Sequence, residues 1–201
     1  FLCQAIVSGA AVVFTSEHCS SEAVEAFVRQ QCAGNREQEE KALGAAWIKV
    51  PDTKRALQNL GSFCRNRLIL PLVGITGSVG KTTTREMIAA ALGAGFLVYK
   101  TPGNSNSQVG VPITIAEIPE SAEIGVIELG MSEPGEMERI ARVARVDCAV
   151  MTNIGVTHIE QLGSQERILE EKLHIQDGMP SEGILFLNGD DPLLASVVPG
   201  E

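Results

Sequence analysis

"GITGSVGKTTT", residues 74–84, sets three glycines, a lysine and four threonines directly after the apolar run LILPLV, and runs into the helical pattern KTTTREMIAAAL. Glycines at 77 and 80 let the backbone bend so that its N–H groups point inward, and a helix start adds partial positive charge. Lys81 can reach β- and γ-phosphates there, and the Thr82 hydroxyl can hold Mg²⁺. The common phosphate-loop spacing would put another glycine at 75, where Ile75 stands. That position is still strand and needs only a β conformation, so the loop of residues 76–83 survives the change.

From this loop the chain reads outward as alternating strands and helices. FLVYK, IGVIEL, DCAVMTNI and GILFLN are short apolar runs with little alternation, as in buried parallel strands. GEMERIARVA and SQERILEEKLHIQDG between them carry helical spacing, and VGVPITIAEI follows a Gly/Asn/Ser loop. The expected fold class is α/β, a mostly parallel sheet of the phosphate-loop NTPase type covered on both faces, with ligands beyond the carboxyl ends of its strands.

Before residue 68 the pattern is less regular. AAVVF and AWIKV read as strands, and Ser20 and Ser21 start a helix with Val24, Phe27 and Val28 on one face. QQCAGNREQEEKALG reads as a polar surface excursion, and DTKRALQNLGSFCRN as a helix. The boundary is set at 67/68, with part of a smaller α/β N-terminal domain in 1–67 and a truncated central domain in 68–201. The chain opens on Phe1 and ends in VVPGE within a continuing pattern, so a piece of a longer protein is expected.

Composition narrows the function classes. A formal charge of −9 and a pI near 4.9 oppose a nucleic-acid footprint, and no apolar run approaches the ~20 residues of a membrane helix. Five scattered cysteines without a C-x-x-C pair argue against a disulfide framework or zinc site and suit a reducing cytoplasm.

Two residues are placed by the same edge of the sheet as Lys81. Glu128 ends the strand GVIEL, where an acidic residue completes a Mg²⁺ shell in phosphate-loop enzymes; the alternative is an ordinary strand-end glutamate. His158 lies just past the next strand and is either a metal ligand or a surface histidine.

Taken together, GITGSVGKTTT, TPGNSNSQVGVPIT, VIELGMSEPGEMERIA, TNIGVTHIEQLGSQERILEEK and LNGDDP resemble the Mur ligase family of cell-wall peptide ligases. In that family the loop is T-G-x-x-G-K-T-T, so position 75 is free. FLCQAIVSGAAVVF and IKVPDTKRALQNLG resemble the latter part of the family's N-terminal domain, whose front is missing here, as is the C-terminal domain. The GEM and G-N-x-N stretches resemble the type that adds D-Ala-D-Ala to a UDP-N-acetylmuramoyl-tripeptide.

The resemblance implies an ATP- and Mg²⁺-dependent amide ligase of peptidoglycan precursor synthesis, cytoplasmic and monomeric at full length, working through an acyl phosphate. Its implied nucleotide contacts are Thr76, Gly77, Ser78, Val79, Gly80, Lys81, Thr82, Thr83 and Asn153. Thr82, Glu128 and His158 are the implied metal ligands, and Lys81, Glu128, His158 and Lys172 the catalytic set. Lys172 aligns with a lysine that several members carry as a carbamate; otherwise it is a solvated lysine of its helix. Asn104, Asn106 and Ser107 are implied substrate contacts, although an Asn/Gly turn explains them equally. GEMERIARVAR reads as a packing helix with solvated charges. Ser107 and His174 depart from the family's usual residues, which touches substrate contacts more than ATP chemistry. Rival readings are a related ligase adding a diamino acid or polyglutamylating folate, a kinase or NTPase on the same loop, and a nucleotide-binding piece without turnover.

Overall fold

Ser20 and Asn35 are short polar side chains that each accept a hydrogen bond from the N–H three residues on, and each starts a helix. Both helices belong to the first of two compact units, Phe1–Ala56 and Leu57–Glu201. The computed structural model describes residues 1–157 and 159–198. In the first unit run α1 (Leu2–Val7), β1 (Val12–Thr15), α2 (Ser21–Gln31), α3 (Arg36–Leu43) and β2 (Ala46–Lys49). β1 pairs in parallel with β2, and Ile6, Val24, Val28, Cys32, Ala42 and Ala45 form its core.

The unit division falls inside α4 (Thr53–Arg67). After it come β3 (Leu72–Thr76), α5 (Lys81–Leu92), β4 (Val98–Lys100), α6 (Gly110–Ala116), β5 (Ile124–Glu128), α7 (Glu136–Ala144) and β6 (Cys148–Met151). α8 (Ile159–Leu162), α9 (Gln165–Leu173), a 3-10 turn (His174–Gln176), β7 (Ile184–Leu187) and α10 (Pro192–Ala195) complete the described elements. The sheet order is β4-β5-β3-β6-β7, with every pairing parallel.

Side chains alternate across this sheet and divide its core in two. Ile75 and Val126 pack with Ala89 of α5 on one face. Leu72, Ile127, Leu129, Ala149 and Met151 pack with α6, α7 and α9 on the other. The register aligns Ile75 with Glu128 and Thr76 with Met151, so the carboxyl ends of β3, β5 and β6 reach the same edge. That edge is where a doubly wound sheet opens a crevice.

The expected α/β class, parallel sheet and strand-helix alternation are all found. Several boundaries differ. β3 starts only at Leu72, because Pro71 has no N–H to give a ladder. The polar stretch read as a surface excursion contains α3, and α1 lies in a segment for which no helix was read. The unit division at Ala56/Leu57 precedes the expected 67/68 boundary because the second half of α4 is tied into the second unit. There Arg65 Nε donates to Ala144 O at 2.8 Å and Nη2 to Arg145 O at 2.9 Å, closing the carboxyl end of α7, while Nη2 also pairs with Asp147 at 3.1 Å.

Candidate active site

The loop of residues 77–80 leaves β3 and enters α5 through Gly80, at φ +83°. Gly77 has φ +144°, and a Cβ there would lie 1.9 Å from Thr152 Oγ1, so only glycine fits. The stretch after β6 braces the loop from outside. Asn153 accepts from Ser78 N through its carbonyl at 3.0 Å and from Val79 N through Oδ1 at 2.9 Å. Ser78 Oγ accepts from Gly155 N at 2.8 Å, and Thr152 Oγ1 donates to Val79 O at 2.6 Å. Asp191 in turn holds Ile154 N at 2.8 Å while capping α10 through Leu193 N and Leu194 N. Burial alone would raise the Asp191 carboxyl, but these three N–H groups outweigh it and hold the pKa below its ordinary value.

Lys81 Nζ donates to Gly77 O at 2.7 Å, folding back over the loop. Burial lowers its pKa and the Glu128 carboxylate opposes that shift. Thr82 Oγ1 stands 3.5 Å from Glu128 Oε2, at the limit of a hydrogen bond, and Asn106 Nδ2 donates to the same oxygen at 3.3 Å. Glu128 is 1% exposed. Its Oε1 lies 2.9 Å from Arg85 Nη1, yet Nη1 is turned toward the carbonyls of Thr101 and Gly103, each at 2.7 Å. Oε1 therefore has a cation beside it but no hydrogen-bond donor among the described residues.

Lys172, from α9, is 2% exposed, which overturns the solvated-lysine alternative. Burial, then the charge of Lys81, lower its pKa to about 8 against the opposing Glu171. Glu171 itself accepts from Gly135 N at 2.9 Å and Met137 N at 3.0 Å, capping α7 and fastening α9 to it. Lys172, Lys81, Gly77, Asn106, Ser107 and Glu136 share a cavity of about 230 Å³. A larger groove of about 680 Å³ beside Leu173, Met179, Ile184 and Leu187 has no ionisable group among its described lining residues.

The structure thus brings together the loop, Thr82, Glu128, Asn106, Ser107, Asn153 and Lys172. Ser107 also caps α6 through Gly110 N at 3.2 Å. Thr76 is buried at the end of β3, whereas Val79 and Thr83 are exposed. Asn104 is exposed too, and only its carbonyl takes part, accepting from Asn106 N at 2.7 Å. His158 lies outside the described residues. His174 does not join the cavity: its Nδ1 pairs with Asp177 at 3.0 Å at the end of α9.

Sequence reasoning missed three groups. Arg85 follows Lys81 by one helical turn, and a buried arginine at that spacing was the available signal. Glu171 precedes Lys172 but faces α7. Glu136 was taken for a solvated charge of a packing helix. Instead it accepts from Ser132 N at 2.6 Å, Glu133 N at 3.2 Å and the Gln108 side-chain amide. Burial raises its pKa, but the donors from Ser132, Gln108 and Glu133, with the charge of Arg139, bring it below the ordinary carboxylate value.

Residues 75–199 match the family model described as Mur ligase middle domain. A UDP-N-acetylmuramoyl-tripeptide–D-alanyl-D-alanine ligase from Bacillus subtilis is 48% identical over 149 residues, 74% of this chain and 33% of that protein. The protein of that name from Escherichia coli is 34% identical over 71% of this chain and 31% of its own length. Among solved structures, the MurF ligase of Thermotoga maritima in complex with ADP superposes with a TM-score of 0.76 at 29% identity, covering 96% of this chain and 40% of that one. The chain spans about a third of the length of these curated relatives.

Proposed function

The chain belongs to the Mur ligase family through its middle domain, and on that premise we propose that it is the ATP-handling part of a cytoplasmic, monomeric ligase that joins D-Ala-D-Ala to a UDP-N-acetylmuramoyl-tripeptide. The observation that carries the reading is the cavity holding Lys81, Asn106 and Lys172 beside the phosphate loop, whose Asn106 side chain also donates to Glu128. Residues 1–67 are the latter part of a UDP-sugar-binding domain in this reading, and 68–201 part of the central domain.

In the reaction, a substrate carboxylate oxygen attacks the γ-phosphorus of ATP. The new O–P bond forms as the bond to the β-phosphate oxygen breaks, and ADP leaves with the electron pair. The incoming amine then attacks the acyl carbon, the C–O bond to phosphate breaks, and the nitrogen sheds its protons to phosphate or solvent. Two anions must meet in the first step, so the work of the protein is positioning and charge neutralisation. The N–H groups of the loop and Lys81 hold the phosphates, which requires the Lys81 ammonium to leave Gly77 O. Asn106 keeps Glu128 oriented, and Asn153 keeps the loop in shape.

Thr82 and Glu128 fit a Mg²⁺ ion, because the buried Glu128 carboxylate turns Oε2 to within 3.5 Å of Thr82 Oγ1 while its Oε1 faces Arg85. A bound Mg²⁺ would supply charge neutralisation between the phosphates and the carboxylate. His158 is the third proposed metal ligand and would hold a second Mg²⁺. Lys172 is proposed as a carbamate: a pKa lowered to about 8 leaves a minor but appreciable fraction of the amine neutral near physiological pH, the form that adds to CO₂ with loss of a proton. The product anion would turn the Lys81–Lys172 repulsion into attraction.

The 201-residue chain should bind Mg²⁺-ATP weakly and form no amide, since its relatives are more than twice its length. Calorimetry with ATP, followed by a mass-spectrometric search for the pentapeptide product, checks both. Absence of ATP binding would count against the phosphate-loop assignment, and amide formation would show that the rest of the relatives' length is dispensable.

A further inference from the structure

Among the described lining residues of the cavity, Glu136 is the one carboxylate, and its surroundings are unusual for a surface glutamate. Oε2 is held by Ser132 N and Glu133 N, and Oε1 by the amide of Gln108. All three donors are neutral. The nearby cation, Arg139, spends its Nε on Gln108 Oε1 at 3.1 Å and makes no ion pair with Glu136. Gln58 Nε2 reaches the same Gln108 oxygen at 3.3 Å, so the Gln108 amide is fixed with its N–H₂ toward Glu136. The carboxylate is thereby locked in place with its charge unpaired, and one of its roughly four acceptor positions stays open.

We propose that Glu136 anchors the ammonium group of the incoming amine, forming an acceptor subsite in the cavity that also holds Lys81 and Lys172. This inference rests on the ligase reading above. The Lys81 ammonium repels a cation from its side of the cavity, so an ammonium is drawn to the Glu136 carboxylate on the opposing chain segment. Glu136 binds and orients rather than accepting the proton, because its donors keep it a weak base. The ammonium gives one proton to a phosphate oxygen or solvent before its nitrogen attacks, and a second proton leaves the same way once the C–N bond has formed.

The test compares parent, Glu136→Gln and Glu136→Asp in a full-length version of the ligase, with KM measured separately for each of the three substrates. Losing a charge-assisted hydrogen bond should raise KM for the amine about 10- to 100-fold, with KM for ATP and for the UDP-linked substrate within about threefold of the parent. Inhibition by a D-Ala-D-Ala analogue whose amine is replaced by hydroxyl should be the same in parent and Glu136→Gln, since it lacks the ammonium. A parallel rise in all three KM values, with a lower melting temperature, would reduce Glu136 to a loop brace and overturn the proposal. An unchanged amine KM would do the same. If the parent itself forms amide with no amine in a panel, the ligase reading fails first and the subsite falls with it.

Discussion

Arg85→Met removes the cation of the buried Arg85–Glu128 pair while keeping a side chain of similar length. The Arg85 and Glu128 side chains are 6% and 1% exposed, so water cannot replace what is lost. Removing one partner of such a pair costs about 3–5 kcal/mol, because the other charge stays buried. Two carbonyls, Thr101 O and Gly103 O, also lose their donor, which ties the turn after β4 to α5. The carboxylate keeps Asn106 and the long contact to Thr82, so the lower part of the range applies, about 3 kcal/mol. Urea titration of the 201-residue chain followed by far-UV circular dichroism measures it. Arg85→Met with Glu128→Gln should recover at least about half of the loss, since the stranded charge is then gone. A single-variant loss below about 1 kcal/mol would refute the argument that Glu128 depends on Arg85 for its charge balance.

Lys172→Met should stabilise the chain in CO₂-free buffer. The folded pKa of about 8 lies below the free value of 10.5, so folding the protonated lysine is penalised at all pH below 8. That penalty, about 3 kcal/mol, fades as pH rises from 8 toward 10.5, and the melting temperatures of parent and variant should converge over that window. Asp191→Ala should cost about 1 kcal/mol after allowing for solvent screening, and the parent should lose this contribution as pH falls through the depressed Asp191 pKa; thermal melts from pH 7 to 3 check it. In a full-length version, Lys81→Ala should lower ADP release at least ~100-fold with an unchanged circular dichroism spectrum. Glu128→Gln should move the Mg²⁺ titration of activity to higher concentration, and overlaying curves would remove Glu128 from the metal site.

The phosphate loop and the alternation of strands and helices were legible because each rests on local chemistry: glycines at a strand end, and apolar runs too short for helices. The sheet order was not. β4 and β5 both follow β3, and nothing local says that β5 inserts between the other two. α3 escaped because REQEEKAL has no apolar stripe; it is held by the Asn35 cap and pairs such as Arg36–Glu40 at 2.9 Å, with Ala42 buried. Lys172 was legible only through resemblance, since helical spacing sets Ile168, Leu169, Ile175 and Gln176 around it, which offers no ion pair and gives no sign that its tip enters a cavity. Arg85 and Glu136 were hidden for a similar reason: their partners lie 16 to 43 residues away on the other side of a strand or turn, Glu128 and Thr101 for one, Gln108 for the other.

The most direct test of acyl transfer follows oxygen. With the acceptor carboxylate of the UDP-linked tripeptide labelled with ¹⁸O, a full-length version of the ligase should release phosphate carrying one ¹⁸O for each amide formed, because the carboxylate oxygen that attacks the γ-phosphorus leaves with it. Amide accompanied by unlabelled phosphate, or labelled phosphoryl product without amide, would contradict the account.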